Sequence, residues 1–147
     1  MDAPNYDVLK LDHQLCFPLY ACAKEVVRRY KPFLDELDLT YTQYIAMMLL
    51  WERGNMTSKE LGKALFLDSG TLTPMLKKME AKGLITRRRD AADERNLALG
   101  LTEKGFALRE RAVQVPGLIA QCMELEPEEA VTLYTILYKL LGQFSGE

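Results

Sequence analysis

The pattern of apolar and polar residues in the middle of the chain predicts two short helices in succession. The first has Leu61 and Leu65 on one side and begins at a capping box formed by Thr57 and Glu60. The second begins at Asp68, a good N-cap, and ends where a glycine supplies a left-handed stop. Its buried side is expected to carry Leu72, Met75, Leu76 and Met79. Two helices in this order predict a helix-turn-helix.

The opposite face of the second helix is polar, with small hydroxyls at its front and cations behind them. Such a face suits a DNA major groove, in which hydroxyls contact bases or phosphates and lysines mainly hold phosphates. From this helix we expect DNA contacts by Ser69, Thr71, Thr73, Lys77 and Lys78.

A β-hairpin is predicted directly after the second helix. It has a basic strand from Ile85, a turn over residues 90–96, and a return strand in which Leu97, Leu99 and Leu101 alternate with other residues. A hairpin in this place is a wing, and an arginine near its tip can enter a minor groove. The wing residues expected to contact DNA are Arg87, Arg88, Arg89 and Arg95, the last as the minor-groove candidate.

Charge supports this assignment through its distribution, because the whole chain has a formal net charge of −2 and a pI near 5.6. Residues 53–95 hold ten Lys or Arg against six Asp or Glu, whereas the rest holds nine against fifteen. An ordinary solvated helix face is the alternative explanation of the cations, and the attached arginine-rich hairpin weighs against it. The predicted DNA-binding part is therefore about residues 54–101.

Long amphipathic helices are predicted on both sides of this part. The first is expected over about residues 9–31 and to end at Pro32, with Pro18 as the position where it would bend or break. Thr40 and Gln43 form a capping box for the next helix, whose high apolar content makes it central to the fold.

Helices are also expected over about residues 103–145, capped by Thr102, kinked near Pro116 and restarted at Pro127. The last helix is more apolar than a terminal helix needs, so we expect a homodimer joined by helices of both termini. Two-fold symmetry would match a palindromic operator, with two recognition helices about one DNA turn apart. The apolar stripe of this helix contains Leu133, Ile136, Leu137, Leu140, Leu141 and Phe144.

Composition favours a single folded domain over residues 1–147 without a resident metal or cofactor. The longest apolar run is too short for a membrane span and the N-terminus lacks a signal peptide, so a cytoplasmic location is expected. The three cysteines lack zinc-site spacing, and glycine-rich phosphate loops and hydrolase motifs are missing from the sequence. A non-enzyme is therefore expected.

Four segments carry a resemblance to a known family: LDHQLCFPLY, YKPFLDELDLTYTQYIAMMLLWE, LDSGTLTPMLKKMEAKGLITRRR and DERN. Together they resemble the MarR family of winged-helix regulators, and specifically its organic-hydroperoxide-sensing, OhrR-type repressors. The resemblance extends over nearly the whole chain. It implies a mainly α-helical winged helix-turn-helix homodimer, with Arg95 in the minor groove and Asp93 holding that arginine in position.

The resemblance also implies a redox sensor at Cys16. By residue match, Tyr30 and Tyr41 hydrogen-bond its thiolate, and Tyr20 is contributed by the partner subunit. Hydroxyl donors favour a thiolate, which attacks a peroxide oxygen and becomes a sulfenic acid. Oxidised sensors of this branch are resolved either by a small-molecule thiol or by a cysteine of the other subunit, where Cys122 matches.

Residue patterns alone leave other functions open, because a cysteine on a half-apolar helix is more often an inert core residue. One alternative is a MarR-type repressor released by a small aromatic ligand in the dimer crevice, and another is a thiol peroxidase. Cys22 lies six residues after Cys16, about 9 Å along a helix, which is beyond disulfide reach, so it is expected to be structural.

Overall fold

The computed structural model describes residues 2–89 and 96–145, which form two compact units, Met1–Val115 and Pro116–Glu147. Asp93 and Arg95 lie outside the described residues, and the single domain over residues 1–147 stays a prediction. The elements of the chain, after two 3-10 turns at Tyr6–Leu9 and Leu11–His13, are α1 Cys16–Asp35, α2 Tyr41–Arg53, β1 Met56–Thr57, α3 Ser58–Leu65, α4 Ser69–Ala81, β2 Ile85–Arg89, β3 Leu97–Leu101, α5 Glu103–Ala107, α6 Arg109–Ala112, α7 Val115–Gln121 and α8 Pro127–Phe144.

Helix α1 corrects the predicted helix over residues 9–31 at both ends. It begins at Cys16, so Pro18 lies in the first turn, where backbone N–H groups have no partner within the helix and a proline costs little. Pro32 does not end the helix, which continues to Asp35. The segment before Cys16 forms the two 3-10 turns instead.

The predicted helix ends of the central part are confirmed. Capping boxes are formed by Thr40 with Gln43 at α2 and by Thr57 with Glu60 at α3. The Asp68 side chain accepts a hydrogen bond from Thr71 N, 2.7 Å away, at the start of α4. After α4 the chain turns at Gly83, which has a φ of +76°. The expected apolar side of α4 is buried, and it packs with α2, α3 and the sheet in one core that includes Met47, Leu50, Leu61, Leu76, Met79 and Leu99.

The wing belongs to a three-stranded antiparallel sheet with the order β1-β3-β2. Strands β2 and β3 form the predicted hairpin, in which Ile85 pairs with Leu101 and Arg89 with Leu97. The sequence pattern missed β1, because a strand of two residues has no periodicity to detect. The mainly α-helical fold with a small β wing is as predicted.

The region after the wing is more divided than the predicted helices over residues 103–145. Thr102 caps α5 as expected, but α5 and α6 are short, and Val113, which follows α6, is 74% exposed. In the second unit, α8 begins at Pro127 as predicted. Large apolar side chains of α8 are exposed, among them Val131, Leu133, Tyr134, Ile136, Tyr138 and Phe144.

Candidate functional site

The outward face of α4 carries the expected polar side chains. All five predicted DNA contacts of this helix are exposed, whereas Leu72, Met75, Leu76 and Met79 enter the core. The N-terminal half of the face carries hydroxyls and the C-terminal half carries lysines. The exposed set is Ser69, Thr71, Thr73, Lys77 and Lys78.

Helix α3 adds basic residues that the sequence analysis did not single out. A groove between α3 and α4 is lined by Ser58, Lys59 and Lys63 on one side and by Ser69 and Thr73 on the other. The sequence pattern could have indicated the basic residues, because Lys59 and Lys63 lie opposite the Leu61 and Leu65 stripe of an amphipathic helix.

The three arginines of β2 do not share one environment. Arg87 faces α4 and forms an ion pair with Glu80, with 3.0 Å between Nη2 and Oε1 and only 18% of its side chain exposed. Arg88 and Arg89 are exposed. The structure thus corrects the expectation for Arg87, because alternation along a strand turns this side chain toward the protein. Arg88 and Arg89 remain available to DNA.

Cys16 is the first residue of α1, and its side chain is exposed. Tyr20 follows one turn later on the same side of the helix, where Lys24 Nζ lies 5.2 Å from its ring centroid. Tyr30 follows Cys16 by 14 residues, or about 21 Å of helix rise, farther than a tyrosine side chain reaches. Within one chain, Cys16 therefore lies one helical turn from Tyr20 and far from Tyr30, and the predicted division of these tyrosines between subunits stays a prediction.

Tyr30 and Tyr41 lie together at the other end of α1. Their ring centroids are 4.9 Å apart, and Tyr44, which the sequence analysis did not include, lies 5.8 Å from Tyr30. Burial, with a smaller contribution from the two neighbouring phenols, raises the pKa of Tyr30 to about 12. Burial also raises the pKa of Tyr41. Both hydroxyls are therefore protonated near neutral pH and can donate hydrogen bonds to an anion.

The other two cysteines are exposed. Cys22 lies on the same continuous helix as Cys16, so their separation of about 9 Å along the axis holds, and its structural role stays a prediction. Cys122 lies in the turn after α7, and its thiol donates to the Leu118 carbonyl at 3.5 Å.

Within residues 2–89 and 96–145, no group of three metal-ligating side chains is placed to hold an ion. No described helix is long and apolar enough to cross a membrane.

Known proteins similar to this chain are transcriptional regulators. The organic hydroperoxide resistance transcriptional regulator of Bacillus subtilis (strain 168) is 51% identical over 137 residues, which are 93% of each chain. This chain belongs to the MarR family. Its residues 28–111 also match the family model of the transcriptional regulator SarA/Rot. The predicted resemblance is confirmed.

The fold of this MarR-family chain is shared with solved DNA complexes. Reduced AbfR bound to DNA is 31% identical, with 94% of each chain covered and a TM-score of 0.79. AbfR is a protein of Staphylococcus epidermidis. Its disulfide form is 32% identical over 96% of each chain, with a TM-score of 0.60. The predicted winged-helix fold is thereby confirmed.

Proposed function

We propose that the protein is a homodimeric DNA-binding repressor that releases a palindromic operator when an organic hydroperoxide oxidises Cys16. The observation that carries the DNA-binding part is the exposed hydroxyl and lysine face of α4, held beside the basic groove of α3 and the wing. Family membership supports the redox part, because relatives include a hydroperoxide resistance regulator and a regulator solved both reduced on DNA and with a disulfide.

In the DNA complex, the N-terminal half of α4 enters the major groove with its hydroxyls toward the bases. Lys77 and Lys78 hold phosphates on either side. Arg88 and Arg89 bring the wing to the backbone, and Arg95 enters the adjacent minor groove with Asp93 holding it in position. The role of Asp93 rests on the family resemblance, and that of Arg95 rests on the resemblance and on the predicted wing.

The sensor is assembled across the dimer. Within one chain, Tyr30 is about 21 Å from Cys16 along α1. In a two-fold dimer each contact between two different residues occurs twice, so antiparallel α1 helices can bring each Cys16 to the tyrosine cluster of the other copy. There the protonated hydroxyls of Tyr30 and Tyr41 donate hydrogen bonds to the Cys16 thiolate, and Tyr20 contacts the thiolate from its own chain.

The oxidation is a two-electron step. The thiolate sulfur of Cys16 attacks the terminal oxygen of the hydroperoxide, so an S–O bond forms and the O–O bond breaks. The sulfur becomes a sulfenic acid, and the hydroperoxide leaves as an alkoxide that takes a proton and becomes an alcohol. No resident cofactor takes part in this step.

Cys122 of the other subunit resolves the sulfenic acid. Its thiolate attacks the oxidised sulfur, a disulfide forms, and the hydroxyl group leaves as water after taking a proton. The bond between subunits changes the spacing of the two α4 helices. Loss of a few phosphate contacts would then lower affinity on the order of a hundredfold or more at physiological salt.

The test is an operator-binding assay with and without cumene hydroperoxide. The wild type should lose the operator on oxidation, whereas Cys16→Ser should stay bound and Cys22→Ser, the matched control on the same helix, should behave as wild type. If Cys16→Ser is released like the wild type, the sensor assignment is wrong. Release of the operator should follow the fraction of Cys16 thiol that is oxidised. It should not follow the concentration of an added aromatic acid, as the alternative of a ligand-released repressor would require.

The sensor is consumed once per signal and is not a turnover catalyst, so steady hydroperoxide consumption with a dithiol reductant should not exceed that of Cys16→Ser. Sustained consumption of hydroperoxide by the wild type would favour a peroxidase instead.

A repressor acts where its operator is, so we place the protein in the cytoplasm.

A further inference from the structure

The C-terminal end of the recognition helix α4 is attached to the turn between α1 and α2. Lys82, the residue that caps α4, extends its side chain away from the DNA-binding face. Its Nζ atom donates to the Asp38 carbonyl and to Gln43 Oε1, the latter at 3.0 Å, and it lies 3.7 Å from Asp38 Oδ1. The two partners precede and follow the start of α2. One ammonium group therefore joins three elements.

The acceptor end of this connection is rigid. Gln43 is 2% exposed, and its Oε1 atom also accepts a hydrogen bond from Thr40 N at 3.1 Å, as part of the capping box of α2. Asp38 has a left-handed φ of 54°, and the chain closes behind it through a hydrogen bond from Leu39 N to the Leu34 carbonyl. A directional hydrogen bond from a cation to fixed acceptors transmits displacement better than contact between mobile side chains.

The same turn of α2 carries part of the proposed sensor. Tyr41 is the first residue of α2, and Gln43 lies between it and Tyr44 in the sequence. The ring of Tyr41 contacts Tyr30, while Gln43 contacts Lys82. A change that displaces Tyr41 displaces this helical turn and, through it, the acceptor of Lys82. The path from the phenol cluster to α4 is thus one helical turn and one side chain.

We propose that Lys82 is a positioning residue that couples the tyrosine cluster to the recognition helix. When the tyrosine cluster is hydrogen-bonded to the reduced Cys16 thiolate, the Lys82 ammonium holds α4 in the orientation that fits the operator. When oxidation at Cys16 disturbs the cluster, the same hydrogen bonds turn α4 out of that orientation. This inference rests on the proposed redox function.

The test compares the affinity lost on oxidation in wild type, Lys82→Met and Lys82→Arg. Lys82→Met removes the ammonium but leaves Gln43 hydrogen-bonded to Thr40, so the fold should persist. The control is Lys104→Met, which removes one lysine from the same junction, where Lys104 Nζ donates to the Lys82 carbonyl at 2.7 Å. Each variant is treated with cumene hydroperoxide, and the operator Kd is measured before and after.

Coupling between sites typically changes affinity by about 5- to 150-fold. In Lys82→Met the ratio of oxidised to reduced Kd should fall about fivefold or more, with Cys16 sulfenic acid formed at the wild-type rate. Lys104→Met should keep the wild-type ratio, and Lys82→Arg should recover most of it. A merely structural lysine would lower the melting temperature without changing this ratio.

An unchanged ratio in Lys82→Met, or an equal fall in Lys104→Met, would overturn the coupling role while leaving the proposed function intact. A wild type that keeps its operator after oxidation would overturn both. If Lys82→Met does not fold, Gln43→Met tests the same bond from its other end at similar volume, and it must lower the ratio in the same direction.

Discussion

Burial of Tyr30 has a measurable consequence at the residue scale. Because its pKa is raised to about 12 in the fold from an ordinary value of 10.0, the folded state keeps the proton over a range in which the unfolded chain loses it. The corresponding stability is fully present below pH 10 and is lost as the pH rises through 12. The phenols of Tyr41 and Tyr44 act in the same direction.

Tyr30→Phe should therefore reduce the alkaline loss of stability, since one phenol that must ionise has been removed. The measurement is the free energy of unfolding by urea at several pH values between 8 and about 11.5. Tyr20→Phe is the control, because Tyr20 is 61% exposed. If the free energy of unfolding of Tyr30→Phe falls with rising pH as steeply as that of the wild type, the assigned burial of Tyr30 is contradicted.

Arg95 and Lys77 should fail in different ways when they are replaced. Arg95→Ala should weaken specific operator binding by about 1 to 3 kcal/mol, because a minor-groove arginine contributes to recognition. Lys77→Ala should mainly lower the salt dependence of binding by about one unit of slope, because a lysine on phosphate acts through charge. Fluorescence titrations at several salt concentrations separate the two. Unchanged affinity in both variants would place the DNA surface elsewhere.

At the scale of elements, side-chain chemistry at helix ends made much of the fold predictable. A hydroxyl or carboxylate followed three residues later by a partner is local in sequence, and the caps at Thr40, Thr57 and Asp68 all formed. The predicted ends of α1 were wrong because proline restricts a helix differently in its first turn and in its interior. Pro18 was tolerated at the start, and Pro32 was accommodated near the end.

Contacts between distant segments were beyond prediction from the sequence. The pairing of Arg87 with Glu80 depends on how β2 packs against α4, and the two-residue strand β1 exists only because β3 lies beside it. The distance of about 21 Å along α1 between Cys16 and Tyr30 was also not apparent from the residue match, because the match gives no distances within one chain.

The junction of β2 and α5 requires a glycine. A Cβ atom on Gly105 would lie 2.0 Å from the Leu84 carbonyl oxygen, and Trp51 Nε1 donates to the Gly105 carbonyl at 2.9 Å. The atoms nearest to this Cβ all belong to the Leu84 backbone, which has little room to move. Gly105→Ala should therefore destabilise the protein by about 3 kcal/mol.

Gly117→Ala is the matched control, because a Cβ atom there meets nothing within 4 Å. It should be neutral or stabilise by about 0.5 to 1 kcal/mol, as alanine does in a helix. Urea unfolding of both variants provides the comparison. Equal stability of the two would mean that Gly105 does not pack against the Leu84 backbone as described.

At the scale of the whole molecule, the apolar side chains of α8 that are exposed in the single chain indicate a surface that another copy covers. Leu137, Leu140 and Leu141 are the half-buried members of this helix, and the rest of the helix is exposed. An apolar area of this kind is typical of an interface, and a dimer is typical of the family. We therefore expect Leu137→Glu with Leu140→Glu to give monomers that no longer bind the operator. Sedimentation velocity and operator titration check this, and a stable, DNA-binding dimer would show that another surface joins the copies.

The most direct test of a sensor assembled across the dimer is the oxidation rate of Cys16 in a mixed dimer. One copy carries Cys16→Ser with its tyrosines intact, and the other carries Tyr30→Phe and Tyr41→Phe with its cysteine intact. If the sensor is assembled across the dimer, the mixed dimer contains one complete site, and its single Cys16 should form sulfenic acid with cumene hydroperoxide at the wild-type rate per thiol. The pure Tyr30→Phe, Tyr41→Phe dimer should react much more slowly. A mixed dimer as slow as that variant would contradict the account.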